Sequence, residues 1–345
     1  MNRIFRISLA LMIVNGCSEP VEKASTHAAI TGIDSTKKPG DNFFMYVNST
    51  WYDSAQIPAS QSGVGSYSFL NFPQRIRLQG ILDSVSKAKN AEGSLEQKVG
   101  DFYASGMDTA TINKRGYDPI KPILAKIDAI TDVPSLLKVV IDETKSDNSG
   151  ILGFSVGPDD KQSTVNIVQF YQAGIGLPER DYYFKTDDNT ATVQKAYKQF
   201  LTELFVLMGA DSTTAGKNAS IAYEIEKQFA TSHRTNIELR DVKANYNKLA
   251  VADLSKKHPI LGWVSLLEGL GAKVDSVNIA QPGYYDKLNS MLKSVPLSDW
   301  KIYLKSEVAM HYSNLLSQPF ADASFAYEKT LSGQSSKKPR AEEMT

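Results

Sequence analysis

The spacing of apolar positions along the chain is helical for most of its length. In residues 71–88, Ile76, Ile81, Leu82 and Val85 recur near helical spacing, and Pro73 suits a first turn. Residues 94–107 open on Ser94 with Gln97 three places on, the pattern of a capping box, and Val99, Phe102 and Tyr103 then form an apolar face. Residues 119–130 and 134–145 each begin at or near a proline and read as helices. The same period returns in 192–209, 214–232, 243–256, 261–270, 283–294 and 297–317. Between these blocks, 151–157 and 164–171 are rich in β-branched and aromatic residues and flank the turn-rich stretch Pro158–Ser163, which predicts a β-hairpin. No internal repeat and no low-complexity stretch interrupts the pattern. The predicted fold class is mainly α: a multi-helix lobe with one small β-hairpin or sheet.

The first residues follow a different pattern. Arg3 and Arg6 precede the apolar run 7–14, too short to span a bilayer as a helix, and Gly16 stands directly before Cys17. The arrangement predicts a lipoprotein signal peptide over 1–17 with Cys17 as the lipidated residue; an ordinary secretory signal with a chance cysteine is the alternative. Residues 18–38 are polar and poor in large apolar side chains, and read as a flexible tether. No other segment reaches 18 uninterrupted apolar residues, so no transmembrane helix is expected. The expected location is exported and anchored to a bacterial membrane through lipid, facing the periplasm or the cell exterior.

Composition narrows the function classes. At 345 residues and 42% hydrophobic, the chain can bury a sizeable core. Lys+Arg and Asp+Glu balance at 38 each, so no electrostatic footprint for nucleic acid exists, and the 16 Tyr and 14 Phe read as core and groove residues. Cys17 is the single cysteine, which leaves no internal disulfide.

No catalytic constellation follows from residue chemistry. A zincin helix needs histidines at i and i+4 with a glutamate beside them. The four histidines, His27, His233, His258 and His311, are each more than five residues from the next. His27 falls in the tether, His258 at a helix end where a capping role is expected, and His233 and His311 in helical text. Gly153–Gly157 matches the G-x-S-x-G pattern, but the nucleophile elbow needs a helix after the turn, whereas Ser155 sits in a predicted hairpin strand. Gly174 and Gly176 precede Leu177-Pro178 and do not open a dinucleotide-binding helix. Asp159-Asp160 and Asp187-Asp188 read as turn residues rather than a calcium loop.

Six collinear strings nevertheless carry a resemblance. They are Pro39–Phe44 running on through Tyr46, Trp51 and Pro58; Lys98–Asp108; Gly174–Tyr183; Ile237–Asp241; Gln281-Pro282 through Pro296–Trp300; and Leu331–Gly333 followed by Lys338–Arg340. Together they resemble the N-terminal half of the neprilysin-like zinc metallopeptidases, which include endothelin-converting enzyme and bacterial oligopeptidases. The resemblance implies two helical lobes around a cavity, a zinc lobe from the C-terminal half and a lid that admits only peptides. Residues 39 to about 58 would then pack against the zinc lobe and the rest would form most of the lid.

The same resemblance marks two departures. H-E-x-x-H, the downstream glutamate ligand and the substrate-binding Asn-Ala-Tyr strand have no counterpart, and Asn245-Tyr246-Asn247 lies in helical text. The positions equivalent to a substrate-contacting Arg and Asp are held by Gly63 and Ser68. The expectation is therefore residues 39–345 as an incomplete peptidase N-terminal domain. It would have no catalytic or metal-binding residue of its own, and zinc would belong to the complete enzyme. Its partners would be peptides and a separate zinc-binding catalytic half, and the chain alone would be inactive. A non-catalytic peptide- or partner-binding lipoprotein, and a truncated or frameshifted fragment, are the alternatives.

Overall fold

The computed structural model describes residues 33–148 and 150–345, and all but the side chain of Phe69 within them. The predicted lipidation residue Cys17 and His27 lie outside the described residues. Two compact units divide at Ile57/Pro58.

The first unit contains α1 (Phe43–Ser54), capped by the side chain of Asn42, which accepts the backbone N–H of Met45. The turn before it is fastened by the N–H of Asp34 donating to the carbonyl of Tyr46.

The second unit begins with α2 (Ser66–Lys87), α3 (Leu95–Met107) and α4 (Thr109–Arg115), followed by α5 (Lys121–Asp128) and α6 (Val133–Lys145). The hairpin β1 (Gly153–Asp159) and β2 (Gln162–Tyr171) comes next, then α7 (Asp188–Leu207) and α8 (Ser212–Ala230). After β3 (Lys248–Ala250) come α9 (Val251–Lys257), α10 (Trp263–Gly269), β4 (Ser276–Ile279), α11 (Pro282–Ser294), α12 (Leu297–Tyr312), α13 (Gln318–Ser332) and α14 (Arg340–Glu343). The mainly-α expectation holds.

Helix starts follow side-chain chemistry. Ser94, Asp108, Asp132, Asp187 and Asp211 each accept a backbone N–H of the helix they open. At α3 the reciprocal arm of the predicted capping box lands one residue early: Gln97 accepts the N–H of Gly93 rather than that of Ser94.

The sheet is larger than the hairpin read from sequence. Its order is β1-β2-β4-β3, with β1/β2 and β3/β4 antiparallel and β2/β4 parallel. β3 and β4 are only three and four residues long, too short for a period-2 pattern to register. The hairpin turn is tighter than expected, because Pro158, Asp159 and Gln162 belong to the ladder. The predicted helix 243–256 is a correction: Val242–Asn245 forms a turn, β3 follows, and only 251–257 is helical. Asn245 explains the break, since its side-chain amide donates to the carbonyls of Glu238, Leu239 and Asp241 and holds the chain in a turn.

One core joins the helices from α5 to α13 to the sheet. Phe170 of β2 meets Trp263 edge-on at 5.1 Å and Tyr285 at 5.9 Å. The adjacent tyrosines of α11 tie helix to hairpin: the hydroxyl of Tyr284 donates to the carbonyl of Ile151 at 2.8 Å, and that of Tyr285 to the carbonyl of Tyr171 at 3.1 Å.

Candidate functional site

The substrate-contact equivalents both lie where the chain enters α2. Gly63 is exposed, with open space around the position a Cβ would take. Ser68 is the third residue of α2, and its hydroxyl oxygen accepts the N–H of Gly65 at 3.0 Å. Its hydroxyl therefore caps the helix. Beside this entry runs a groove of about 320 Å³ lined by Pro58, Gln61, Phe72, Ile76 and Gln79, with Arg75 as its cation. Arg75 is paired with Glu342 at 2.5 Å, and Gln61 donates to the same carboxylate at 3.0 Å. Arg75 was not singled out by sequence, since an arginine on an amphipathic helix carries no signal of its own.

The α2–α3 pair has an unusual surface. The two helices pack so closely that a Cβ on Gly100 would come within 2.8 Å of the Val85 carbonyl oxygen, and Tyr103 donates to Asp83 across the contact. Away from that seam, Tyr67, Leu70, Ile76, Ile81, Leu95 and Phe102 are exposed; Ile76 and Phe102 retain 71% and 73% of their surface. Among the described side chains, none of α2 or α3 enters the main core. Scattered exposed apolar residues are ordinary, but this many large ones on one helix pair mark a surface built to be covered.

The histidines are dispersed in function as well as in sequence. His233 is buried just after α8, with Nε2 2.9 Å from the Ala173 carbonyl oxygen, and burial holds its pKa down at about 4, so it is neutral in ordinary buffers. His258 is the C-cap residue of α9, its N–H donating to the Leu254 carbonyl, and its ring adds a tertiary tie, Nε2 to Asp286 at 2.6 Å. His311 lies exposed on α12, edge-on to Tyr312. Among the described residues no three His, Cys, Asp or Glu side chains gather into a group that could hold a metal ion.

Ser155 stands in β1 opposite Gln169, with strand continuing past the turn. Asp187 caps α7. Asp159 does more than turn the chain. It accepts the N–H of Lys161, the Lys248 ammonium at 3.0 Å and the Tyr246 hydroxyl at 2.9 Å, and these donors hold its carboxyl down at about 2.

The Gly174–Tyr183 string wraps a buried carboxylate. Glu226 of α8 is fully buried and accepts the hydroxyls of Tyr183 at 2.6 Å and Tyr197 at 2.7 Å, with the Gly176 N–H at 3.4 Å. Gly174 has φ +79°, and a Cβ on Gly176 would fall 1.9 Å from the Tyr197 hydroxyl oxygen. Both glycines are thus required by close approach. Sequence reading missed Glu226, which sits at an ordinary helical position among Ala, Tyr and Ile.

The profile of peptidase family M13 matches residues 39–345. The chain belongs to peptidase family M13. Among curated relatives it is similar to Neprilysin-3 of Drosophila melanogaster, 26% identical across 88% of this chain and 41% of that protein. It is also similar to an endothelin-converting enzyme homolog of Locusta migratoria, 25% identical across 94% and 50%. Among solved structures, the Mycobacterium tuberculosis zinc metalloprotease Zmp1 in complex with an inhibitor superposes with a TM-score of 0.86 at 28% identity, covering 91% of this chain and 48% of that one. The chain thus spans about half the length of the relatives it matches. The neprilysin-like resemblance read from the six strings is the family's own.

Proposed function

We propose that this M13 region is the substrate-enclosing, non-zinc-binding half of an exported zinc metallopeptidase that hydrolyses peptides. The metal ligands would come from the half of the family architecture that these residues do not span. Zinc would supply Lewis-acid activation of water there, while this half would enclose the peptide and exclude larger chains. Isolated, it would hold no stoichiometric zinc and cleave nothing. Anchoring through a lipidated Cys17 belongs to the same proposal and rests on the pattern of residues 1–17.

The observation that carries the reading is the uncovered apolar surface of the α2–α3 pair. A face with Ile76, Ile81, Leu95 and Phe102 in water is unfavourable by about 25 cal/mol for each Å² left uncovered, and the zinc-carrying half is the natural cover. The contact with that half would then extend past residue 58, through Phe102, and the lid would begin later than the sequence resemblance implies.

A chimera tests this. Joined to the zinc-carrying half of an M13 relative, the chain should yield chelator-sensitive peptide cleavage, and Ile76→Glu with Phe102→Glu should remove most of it. Full activity in the charged variant would contradict the docking surface. Peptide binding by the isolated chain, unaffected by chelator, would instead favour a non-catalytic binding lipoprotein.

A further inference from the structure

A second carboxyl, the half-buried Glu307 of α12, one helical turn after Tyr303, lies close enough to Glu226 to feel its charge. Its Oε1 is buried without a hydrogen-bond partner, and so is the Tyr303 hydroxyl. The two glutamates are unequal. Glu226 has two phenols and a backbone N–H directed at it, enough to support a charge. Glu307 has only the neighbouring Tyr303 phenol, whose support of the charge is outweighed by burial, and a buried carboxylate oxygen so poorly partnered is costly to ionise.

The groups around the pair, taken element by element, offer no counter-charge. Tyr183 faces it from the glycine-string segment, Tyr197 from α7, Tyr223 from α8, Tyr284 from α11, Tyr303 from α12 and Tyr327 from α13. Glu143 of α6 lines the same cavity as Glu307, a space of about 10 Å³, roughly one water. The nearby cations are engaged elsewhere. Lys305 pairs with Asp128, Arg180 with Asp181, and Lys198 lies over the Tyr223 ring. His233, edge-on to Tyr284, is neutral.

We propose that Glu226 and Glu307 form a proton clasp: the pair keeps a proton, resident on Glu307, at neutral pH, and losing it in alkaline medium loosens the centre of the lobe. The clasp lies where α7, α8, α12 and the Gly174–Tyr183 string meet, so its opening acts on the segment that closes over Glu226.

Burial, and for Glu307 the neighbouring Glu226 charge, push both carboxyls well above their ordinary range. For a raised carboxyl, stability is complete below the unfolded-state pKa and is lost as pH rises through the folded value. The loss therefore starts in the ordinary carboxylate range and runs up to the raised folded value, about 8 for Glu307, so its last part falls between neutral and mildly alkaline pH. His233 opposes it only at lower pH, below the ordinary histidine range.

The test is urea unfolding of the full chain between about pH 7 and about pH 9.5, compared with Glu307→Gln and with exposed Glu203→Gln as control. The wild-type unfolding constant should rise by about tenfold or more across this range. Glu307→Gln should remove most of that rise and the control none. An unchanged pH slope in Glu307→Gln overturns the clasp. Infrared difference spectra of the wild type give a second reading that needs no variant. A buried protonated-carboxyl band at neutral pH, lost on alkaline titration, is expected, and its absence overturns the proposal.

Discussion

Single residues in this chain are constrained mainly by what they touch. Gly176 is fixed by the Tyr197 hydroxyl, so Gly176→Ala must displace that phenol from Glu226. Losing a donor to a buried carboxylate costs about 1–3 kcal/mol. Gly176→Ala and Tyr197→Phe should therefore each lower the urea midpoint, and their double variant should fall well short of the sum because both remove one interaction. Asp159 gives a prediction of opposite sign to the buried pair. Its carboxyl is depressed first by the Lys161 N–H and then by Lys248. Its stabilisation is present above the ordinary carboxylate range and is lost as pH falls toward about 2. Asp159→Asn should flatten the acid limb of a melting-temperature profile, and an acid limb as steep as wild type would contradict the assignment. Such residues are poorly legible in sequence. An aspartate at a hairpin turn looks the same whether it faces water or three donors, and only the fold brings Lys248 and Tyr246 to it.

At the scale of elements, legibility followed length. Long amphipathic helices such as α6, α7, α8 and α11 were readable because their buried faces repeat over several turns and their starts are marked by a capping aspartate or, in α11, by Pro282. The strands β3 and β4 were not, because they join the sheet through pairing with distant residues rather than through any local pattern. α3 was placed correctly from Ser94, yet its exposed apolar face reads in sequence like any core-facing stripe. That ambiguity is physical: periodicity reports that a face avoids water, not which partner covers it. The α2–α3 pair should accordingly behave as a separable element. Gly100→Ala drives a methyl into the Val85 carbonyl and should cost about 1–3 kcal/mol of helix-pair stability. Hydrogen exchange should show it as faster opening of α2 and α3 with the α7–α8 core unchanged. Ile76→Glu and Phe102→Glu, by contrast, should alter stability by less than about 0.5 kcal/mol while lowering the binding of a hydrophobic dye.

For the molecule as a whole, the six strings that carried the family resemblance are scattered along the chain, and the structure shows what several of them do. The Gly174–Tyr183 string packs over Glu226, the string running through α11 and α12 supplies Tyr284 and Trp300 to the core, and the Lys98–Asp108 string forms the α3 seam. Part of the resemblance was legible for that reason: the Gly174–Tyr183 and Lys98–Asp108 strings answer close contacts that few residue types satisfy. What the strings could not convey is how much of the apolar surface awaits cover, since exposure is a property of the assembled fold. The central claim is that catalytic zinc is held by side chains other than those described here. The direct measurement is the metal content of the purified chain, read together with chelator-sensitive cleavage of a mixed peptide library. The account predicts well under one zinc per chain and no cleavage that chelator abolishes. One tightly held zinc per chain accompanied by chelator-sensitive hydrolysis would contradict it.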